Sequence, residues 1–126
     1  MQRIAVYGLG SMGYGMAQSL LRAGHTVFGF DVVAEQEARF RAEGGAEGSL
    51  ETIAADLDAV VIVVLNAAQT RDVLFGEAGV APLLRSGAAI ISCATVPPEF
   101  AREMAAACGE RQLHYLDAPI SGGSVK

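Results

Sequence analysis

The stretch Ile4-Ala5-Val6-Tyr7-Gly8-Leu9-Gly10-Ser11-Met12-Gly13 decides the fold of this chain of 126 residues. Its apolar run, residues 4–7, predicts a buried strand, and three glycines spaced as G-x-G-x-x-G follow directly. Between a strand and a helix, that spacing is typical of a loop that binds a dinucleotide pyrophosphate. The alternative interpretation is a glycine-rich turn that binds no ligand.

Each glycine of this loop has a predicted task. Gly8 permits a tight turn, Gly10 lets the backbone approach a pyrophosphate, and Gly13 lets the helix pack closely on the strand. The backbone N–H groups of residues 10–13 and the positive end of the helix dipole would then face the phosphate oxygens.

Asp31 follows a second predicted strand, residues 26–30, and lies 18 residues beyond Gly13. A carboxylate at this position can accept hydrogen bonds from the adenosine ribose hydroxyls, and it would repel a 2′-phosphate. The next residues are Val32 and Val33 rather than an arginine that could bind that phosphate. The sequence therefore predicts NAD rather than NADP as the cofactor. The alternative is an aspartate that only caps the following helix.

Alternating strand and helix patterns continue along the chain. The run Ala59–Leu65 is apolar throughout, which predicts a central parallel strand buried on both faces. Further strands are predicted at 87–92 and 114–116, and helices at 12–23, 34–43, 67–75, shortly after Ser49, and from Pro97-Pro98 onward. The order predicts an α/β fold, a Rossmann-type doubly wound parallel sheet, as a single domain over residues 1–126. Ligands bind beyond the carboxyl ends of the strands in such sheets.

The spacing of apolar residues also predicts which helix faces are buried. The predicted faces are Met12, Met16 and Leu20, beside Ala17 and Leu21, in the first helix, Ala34 and Ala38 in the second, and Phe100, Met104 and Cys108 in the last. Ser49 and Asn66 are predicted N-caps of the helices that follow them.

Composition excludes several classes of function. The formal net charge is −5 and no basic stripe is present, which argues against a nucleic-acid partner. The longest apolar run, Ala59–Leu65, is far shorter than the roughly 18 residues of a membrane-spanning helix. Cys93 and Cys108 are predicted to be buried thiols in a reducing compartment, the cytoplasm. No metal-ligand cluster is visible. The apolar content of 52% predicts a surface that another subunit or a further part of the chain covers.

A second motif, Asp117-Ala118-Pro119-Ile120-Ser121-Gly122-Gly123, follows the last predicted strand. The two glycines can present backbone N–H groups to an anion, and the Ser121 hydroxyl can donate and accept hydrogen bonds. A substrate-holding turn is one interpretation, and a flexible Ser-Gly-Gly segment is the other.

Taken together, these motifs resemble those of the β-hydroxyacid dehydrogenase family, which includes 3-hydroxyisobutyrate, tartronate semialdehyde and 6-phosphogluconate dehydrogenases. The resemblance rests on Gly-Leu-Gly-x-Met-Gly-x-x-Met-Ala over residues 8–17, on Thr95 ahead of Pro97, and on residues 117–123. The stretch 66–76 is most similar to the threonate dehydrogenase branch.

The resemblance implies a role for each site residue. The pyrophosphate would contact the loop residues Gly8, Leu9, Gly10, Ser11, Met12 and Gly13. Asp31 would bind the adenosine ribose, Leu65 and Asn66 would line the nicotinamide side, and Thr95 would lie near the nicotinamide ribose. Ser121, as the substrate-orienting catalytic residue, would bind the substrate together with Gly122 and Gly123.

The implied activity is NAD-dependent oxidation of a small β-hydroxy acid by hydride transfer, in a homo-oligomer. Family members carry a catalytic lysine on a later helix, at the start of a helical second domain, and Lys126 is too close to Ser121 to match it. We therefore expect this chain to be the N-terminal portion of such an enzyme and, alone, only to bind cofactor. A non-catalytic NAD-binding module and an aldehyde or imine reductase of the same family are the alternatives.

Overall fold

The structure, a computed structural model, describes residues 2–119. Five parallel strands form one sheet in the order β2-β1-β3-β4-β5. The strands are β1 (Arg3–Tyr7), β2 (Thr26–Phe30), β3 (Ala59–Ile62), β4 (Ala89–Ser92) and β5 (His114–Asp117). The predicted α/β fold is confirmed.

Helices cover both faces of this sheet. They are α1 (Ser11–Arg22), α2 (Ala34–Ala42), α3 (Leu50–Ile53), α4 (Ala67–Phe75) and α5 (Pro98–Glu110). Buried residues of α1 and α2 pack on one face, and buried residues of α3, α4 and α5 pack on the other. The two apolar clusters are therefore separated by the sheet itself, as in a doubly wound fold.

Strand β3 lies in the middle of the sheet, as its apolar sequence predicts. Val60, Val61 and Ile62 are all buried. The strand is shorter than predicted, because it ends at Ile62 and Leu65 is 83% exposed. The backbone N–H of Val63 still donates to the carbonyl of Tyr7, at 2.7 Å, before the chain turns away from the sheet.

One predicted helix face is wrong at one position, and another is wrong altogether. In α1, Ala17 is buried and Met16, Leu20 and Leu21 are partly buried against the core, as predicted, but Met12 is 45% exposed. Gly13 and Tyr14 are buried in the first turn instead, where Gly13 lies against the loop carbonyl of Gly8. In α2, Ala34 and Ala38 are both exposed, and the larger side chain of Phe40 is buried instead.

The predicted caps and the last helix are mostly as expected. Asn66 caps α4, since its side-chain oxygen accepts from the N–H of Gln69 at 2.9 Å. Ser49 occupies the N-cap of α3 without accepting from a helix amide, and its hydroxyl lies 3.2 Å from that of Thr52. Helix α5 begins at a proline, and the predicted face is confirmed in full: Phe100, Met104 and Cys108 are buried.

Both cysteines are unpaired and buried. Between residues 2 and 119, no helix is both long enough and apolar enough to cross a membrane. In the same range, no three His, Cys, Asp or Glu side chains come together in a way that could hold a metal ion.

Candidate functional site

A cavity of about 1090 Å³ opens at the carboxyl ends of β1, β2, β3 and β4. This volume is at the upper end of what is usual for ligand clefts in proteins. Eight of the predicted cofactor residues line it: Gly8, Gly10, Ser11, Met12, Gly13, Asp31, Leu65 and Thr95. Leu9 and Asn66 do not line it. The predicted substrate residues Ser121, Gly122 and Gly123 lie outside the described residues.

The three loop glycines differ in what surrounds them. Gly8 has φ +101°, and a Cβ there would overlap the carbonyl oxygen of Val63. A Cβ on Gly13 would overlap the carbonyl oxygen of Gly8. A Cβ on Gly10 would meet no protein atom within 4 Å. Packing within the chain therefore requires glycine at 8 and 13, whereas at Gly10 the space that a side chain would fill opens beside the cavity.

Leu9 anchors the loop rather than lining the cavity. Its side chain is completely buried beside Phe40 and Val6 in the core on the α1 face. Its backbone N–H donates to Oδ2 of Asp31 at 2.6 Å, and its carbonyl accepts from Nε2 of Gln36 at 2.5 Å. Because the carbonyl and the following N–H of a planar trans peptide point in opposite directions, this contact turns the N–H of Gly10 away from Gln36.

The carboxylate of Asp31 lies directly against the glycine-rich loop. Besides the N–H of Leu9, it accepts the N–H of Val33 through Oδ1, at 2.8 Å. Val33 is the N-cap residue of α2 and α2 has no side-chain cap hydrogen bond, so Asp31 forms a turn ahead of the helix and does not cap it as the alternative interpretation expects. Each carboxylate oxygen has a second lone pair, and Asp31 lines the cavity. The backbone contacts hold the carboxylate in place and leave it able to accept further hydrogen bonds.

Glu37 is a cavity residue that the sequence analysis did not identify. Its Oε2 accepts from the backbone N–H of Asp31 at 2.9 Å. The one signal in the sequence was an acidic residue in the first turn of a helix, a pattern that usually has only a helix-dipole explanation.

Aromatic rings form another part of the wall. Tyr7 stacks on Phe30 at the ends of β1 and β2, with ring centroids 5.0 Å apart. The Tyr7 hydroxyl is buried and finds no hydrogen-bond partner among residues 2–119. Burial first, and then the negative charges of Glu37 and Glu51, raise the pKa of Tyr7 far above its usual range. Tyr7 is therefore neutral at physiological pH.

The wall nearest β3 and β4 is mostly apolar and is shaped by the turn into α4. Gln69 holds this turn, because its Oε1 accepts from the N–H of Leu65 at 2.7 Å. Asn66 is occupied as the cap of α4, so the structure gives it a part in the shape of the turn. Cys93 contributes a thiol whose pKa is raised by burial, which keeps it protonated.

The charge of the lining is entirely negative. Among the described residues, the cavity is lined by the carboxylates of Asp31, Glu37 and Asp72 and by no lysine, arginine or histidine. An anionic ligand would therefore have to be bound by uncharged N–H groups. The first turn of α1 supplies these, since the first four N–H groups of a helix have no intrahelical partner.

Comparison with known proteins agrees with this geometry. The model of the NAD-binding domain of 6-phosphogluconate dehydrogenase matches residues 3–126. The chain is 44% identical to the L-threonate dehydrogenase of Cupriavidus necator over 126 residues, 99% of this chain and 42% of that protein. It is 42% identical to the L-threonate dehydrogenase of Escherichia coli K12 over 125 residues, 98% of this chain and 41% of that protein.

Among solved structures, 3-hydroxyisobutyrate dehydrogenase from Salmonella typhimurium is similar, with a TM-score of 0.89 and 45% identity. The match covers 100% of this chain and 44% of that one. The chain thus spans about 42% of the length of the curated relatives that it matches. The family match over residues 3–126, together with the strand order and the glycine-rich turn, shows that this chain belongs to the family of the NAD-binding domain of 6-phosphogluconate dehydrogenase.

Proposed function

We propose that this chain is the cofactor domain of an enzyme that oxidises a small β-hydroxy acid with NAD. The observation that carries the proposal is Gly10, which borders both the cavity and the first turn of α1. No contact with residues 2–119 requires glycine there, but a Cβ would occupy space beside the cavity. A pyrophosphate that approaches the backbone closely explains the absence of a side chain.

In this proposal, the pyrophosphate lies against the loop Gly8 to Gly13 and is held by the backbone N–H groups of residues 10–13 and by the helix dipole. The Asp31 carboxylate accepts hydrogen bonds from the adenosine ribose hydroxyls. Leu65 and Thr95 border the nicotinamide end, and Asn66 keeps the turn from β3 into α4 in shape. Leu9 holds the loop in place, because its side chain is buried in the core on the α1 face.

When bound, NAD accepts a hydride at nicotinamide C4 from the substrate carbon that bears the hydroxyl. The apolar side chains after β3 and β4 would provide an apolar wall beside the nicotinamide. We propose that Ser121 orients the substrate, and that Ser121 and the N–H groups of Gly122 and Gly123 bind its carboxylate or hydroxyl. The support for these three residues is their motif, which begins where β5 ends, at Asp117. A lysine beyond this sequence would take the hydroxyl proton.

The charge of the cavity favours NAD over NADP in this proposal. A 2′-phosphate at the ribose would meet the carboxylate of Asp31 and no basic side chain among the described lining residues. Val32, the next residue, is fully exposed and carries no charge.

Small hydroxy acids are the proposed class of substrate, because three curated relatives at 40–44% identity are L-threonate dehydrogenases and a solved structure at 45% identity is a 3-hydroxyisobutyrate dehydrogenase. Threonate is therefore the first compound to test with the enzyme.

We also propose that the protein works in the reducing cytoplasm, in keeping with its two unpaired cysteines, and as a homo-oligomer. Leu83 and Leu116 are large apolar side chains that are exposed in the described chain, lie outside the cavity lining and are available for association.

Calorimetric titration of the chain with NAD⁺ and, separately, with NADP⁺ tests the proposal. We expect NAD⁺ to bind and NADP⁺ to bind clearly more weakly. Equal affinities, or preference for NADP⁺, would overturn the role of Asp31. Failure of both to bind a folded chain would contradict the cofactor site.

A further inference from the structure

A second carboxylate is fixed beside Asp31 at the mouth of the cavity. Oε2 of Glu37 accepts from the backbone N–H of Asp31 at 2.9 Å, while the side chain of Asp31 accepts from the N–H groups of Leu9 and Val33. The side chain of Glu37 is half-buried and lines the same cavity. Both carboxylates therefore belong to one hydrogen-bonded unit that joins β2, α2 and the glycine-rich loop.

No cation neutralises this pair. Within residues 2–119, neither Glu37 nor Asp31 makes an ion pair. Arg39 follows Glu37 by two residues on α2. Its guanidinium lies over the ring of Tyr14, and its Nε is 3.8 Å from Oε2 of Glu43. The effect of Glu37 reaches the cavity wall, since its charge contributes to the raised pKa of Tyr7.

We propose that Glu37 is a second residue that determines cofactor specificity, acting with Asp31 to exclude a 2′-phosphate. This inference rests on the proposed NAD site. A phosphate monoester carries nearly two negative charges at neutral pH, so beside the ribose it would be repelled by two fixed carboxylates rather than by one. The 2′-hydroxyl of NAD is neutral and meets no such repulsion.

The variant Glu37→Gln isolates the charge. Its side-chain oxygen can still accept from the N–H of Asp31, so the hydrogen bond is retained while the negative charge is lost. Glu35→Gln is the matched control, because Glu35 lies in the same first turn of α2, is exposed and does not line the cavity.

We expect Glu37→Gln to tighten NADP⁺ binding about tenfold and to change the Kd for NAD⁺ by less than about twofold. Glu35→Gln is expected to change either Kd by less than about twofold. The same comparison in an Asp31→Asn background, where NADP⁺ binds more tightly, keeps the Kd within the range of calorimetry. An unchanged Kd for NADP⁺ in both backgrounds would overturn the proposal.

Salt dependence tests the same point without a substitution. Because both carboxylates are only partly buried, dissolved ions can screen the repulsion, and raising the salt from about 0.1 M to about 1 M should bring the wild-type affinity for NADP⁺ closer to that for NAD⁺. Discrimination that is insensitive to salt would count against a charge effect. If the wild-type chain binds NAD⁺ but Glu37→Gln does not bind NADP⁺ more tightly, only this inference is overturned. If the wild-type chain binds neither cofactor, the proposed function is overturned as well.

Discussion

The three glycines between β1 and α1 are required for different reasons, and this difference can be measured. Replacement of Gly10 by alanine adds a Cβ that meets no protein atom within 4 Å. We therefore expect Gly10→Ala to keep its melting temperature within about 3 °C of wild type, as for a change worth well under 1 kcal/mol. Its affinity for NAD⁺ should fall at least about tenfold, because the added methyl group blocks the backbone from the pyrophosphate. Thermal denaturation and calorimetry measure the two effects.

Gly13→Ala provides the contrasting control. Its Cβ would overlap the carbonyl oxygen of Gly8, so helix and loop would have to move apart. Overpacking of this kind costs about 1–3 kcal/mol, and the melting temperature should fall clearly. If Gly10→Ala bound NAD⁺ as tightly as wild type, Gly10 would have no part in cofactor binding.

Among the elements, α5 offers the clearest test of packing. Met104 is 1% exposed and faces the sheet between Phe100 and Cys108. Truncation to alanine leaves a cavity that the neighbouring side chains cannot fill, and we expect the free energy of unfolding to fall by about 2–5 kcal/mol. Urea denaturation measures this loss. Arg102→Ala, on the exposed side of the same helix, should change stability by less than about 0.5 kcal/mol. Similar losses in both variants would contradict the assigned helix face.

The amino ends of β1 and β3 are joined by Asp58, which gives the fold a pH-dependent contact. The N–H of Arg3 first, and the guanidinium of Arg85 in addition, hold the pKa of Asp58 below its ordinary value. Because the pKa is lower in the folded state, the stabilisation is complete above the unfolded pKa of about 3.9 and is lost as the pH falls through the folded pKa. Asp58→Asn should therefore melt below wild type at neutral pH and approach it in acid.

Circular dichroism melts across this pH range measure the difference. Asp56→Asn is the control, since Asp56 lies two residues earlier and is exposed. A melting deficit in Asp58→Asn that stays constant from neutral pH into acid would contradict the assigned role of the carboxylate.

Sequence patterns predicted the order of the elements because each strand and helix has its own local periodicity. They could not predict that Met12 is exposed while Gly13 and Tyr14 are buried, since the contact of Gly13 with the loop carbonyl of Gly8 fixes how the first turn of α1 meets the sheet. The sequence also could not show where β3 ends, because the residues that follow the strand, Val63 to Leu65, are apolar as well. All three line the cavity, and Val63 and Val64 also pack against the core on the two faces of the sheet.

The sequence predicted those site residues that come directly after a strand. Asp31 and the glycine-rich loop lie where chain order places them, and eight predicted residues share one cavity. Glu37 and Gln36 escaped prediction because polar residues on a surface helix usually point into solvent. Only the packing of α2 beside the loop brings their side chains to the backbone of Asp31 and Leu9.

At the scale of the whole molecule, binding and turnover should be separable. Residues 1–126 contain no counterpart of the lysine that the family resemblance implies, and loss of a general acid–base typically costs about 10²–10⁴ in rate. We expect the purified chain to bind NAD⁺ weakly and to form no measurable NADH from threonate or 3-hydroxyisobutyrate. Absorbance of NADH follows the reaction. Sustained NADH formation by the pure chain of 126 residues would contradict this expectation.

One residue, Leu9, belongs to the core and to the ligand loop at once. Its side chain is fully buried, while its N–H and carbonyl fix Asp31 and Gln36 around the cavity mouth. A change that loosens the packing around the Leu9 side chain therefore also loosens the loop. Genetic changes at Leu9 should accordingly give temperature-sensitive alleles, functional in the cold and defective when warm, whereas changes at Gly10 should give defects that are the same at every growth temperature.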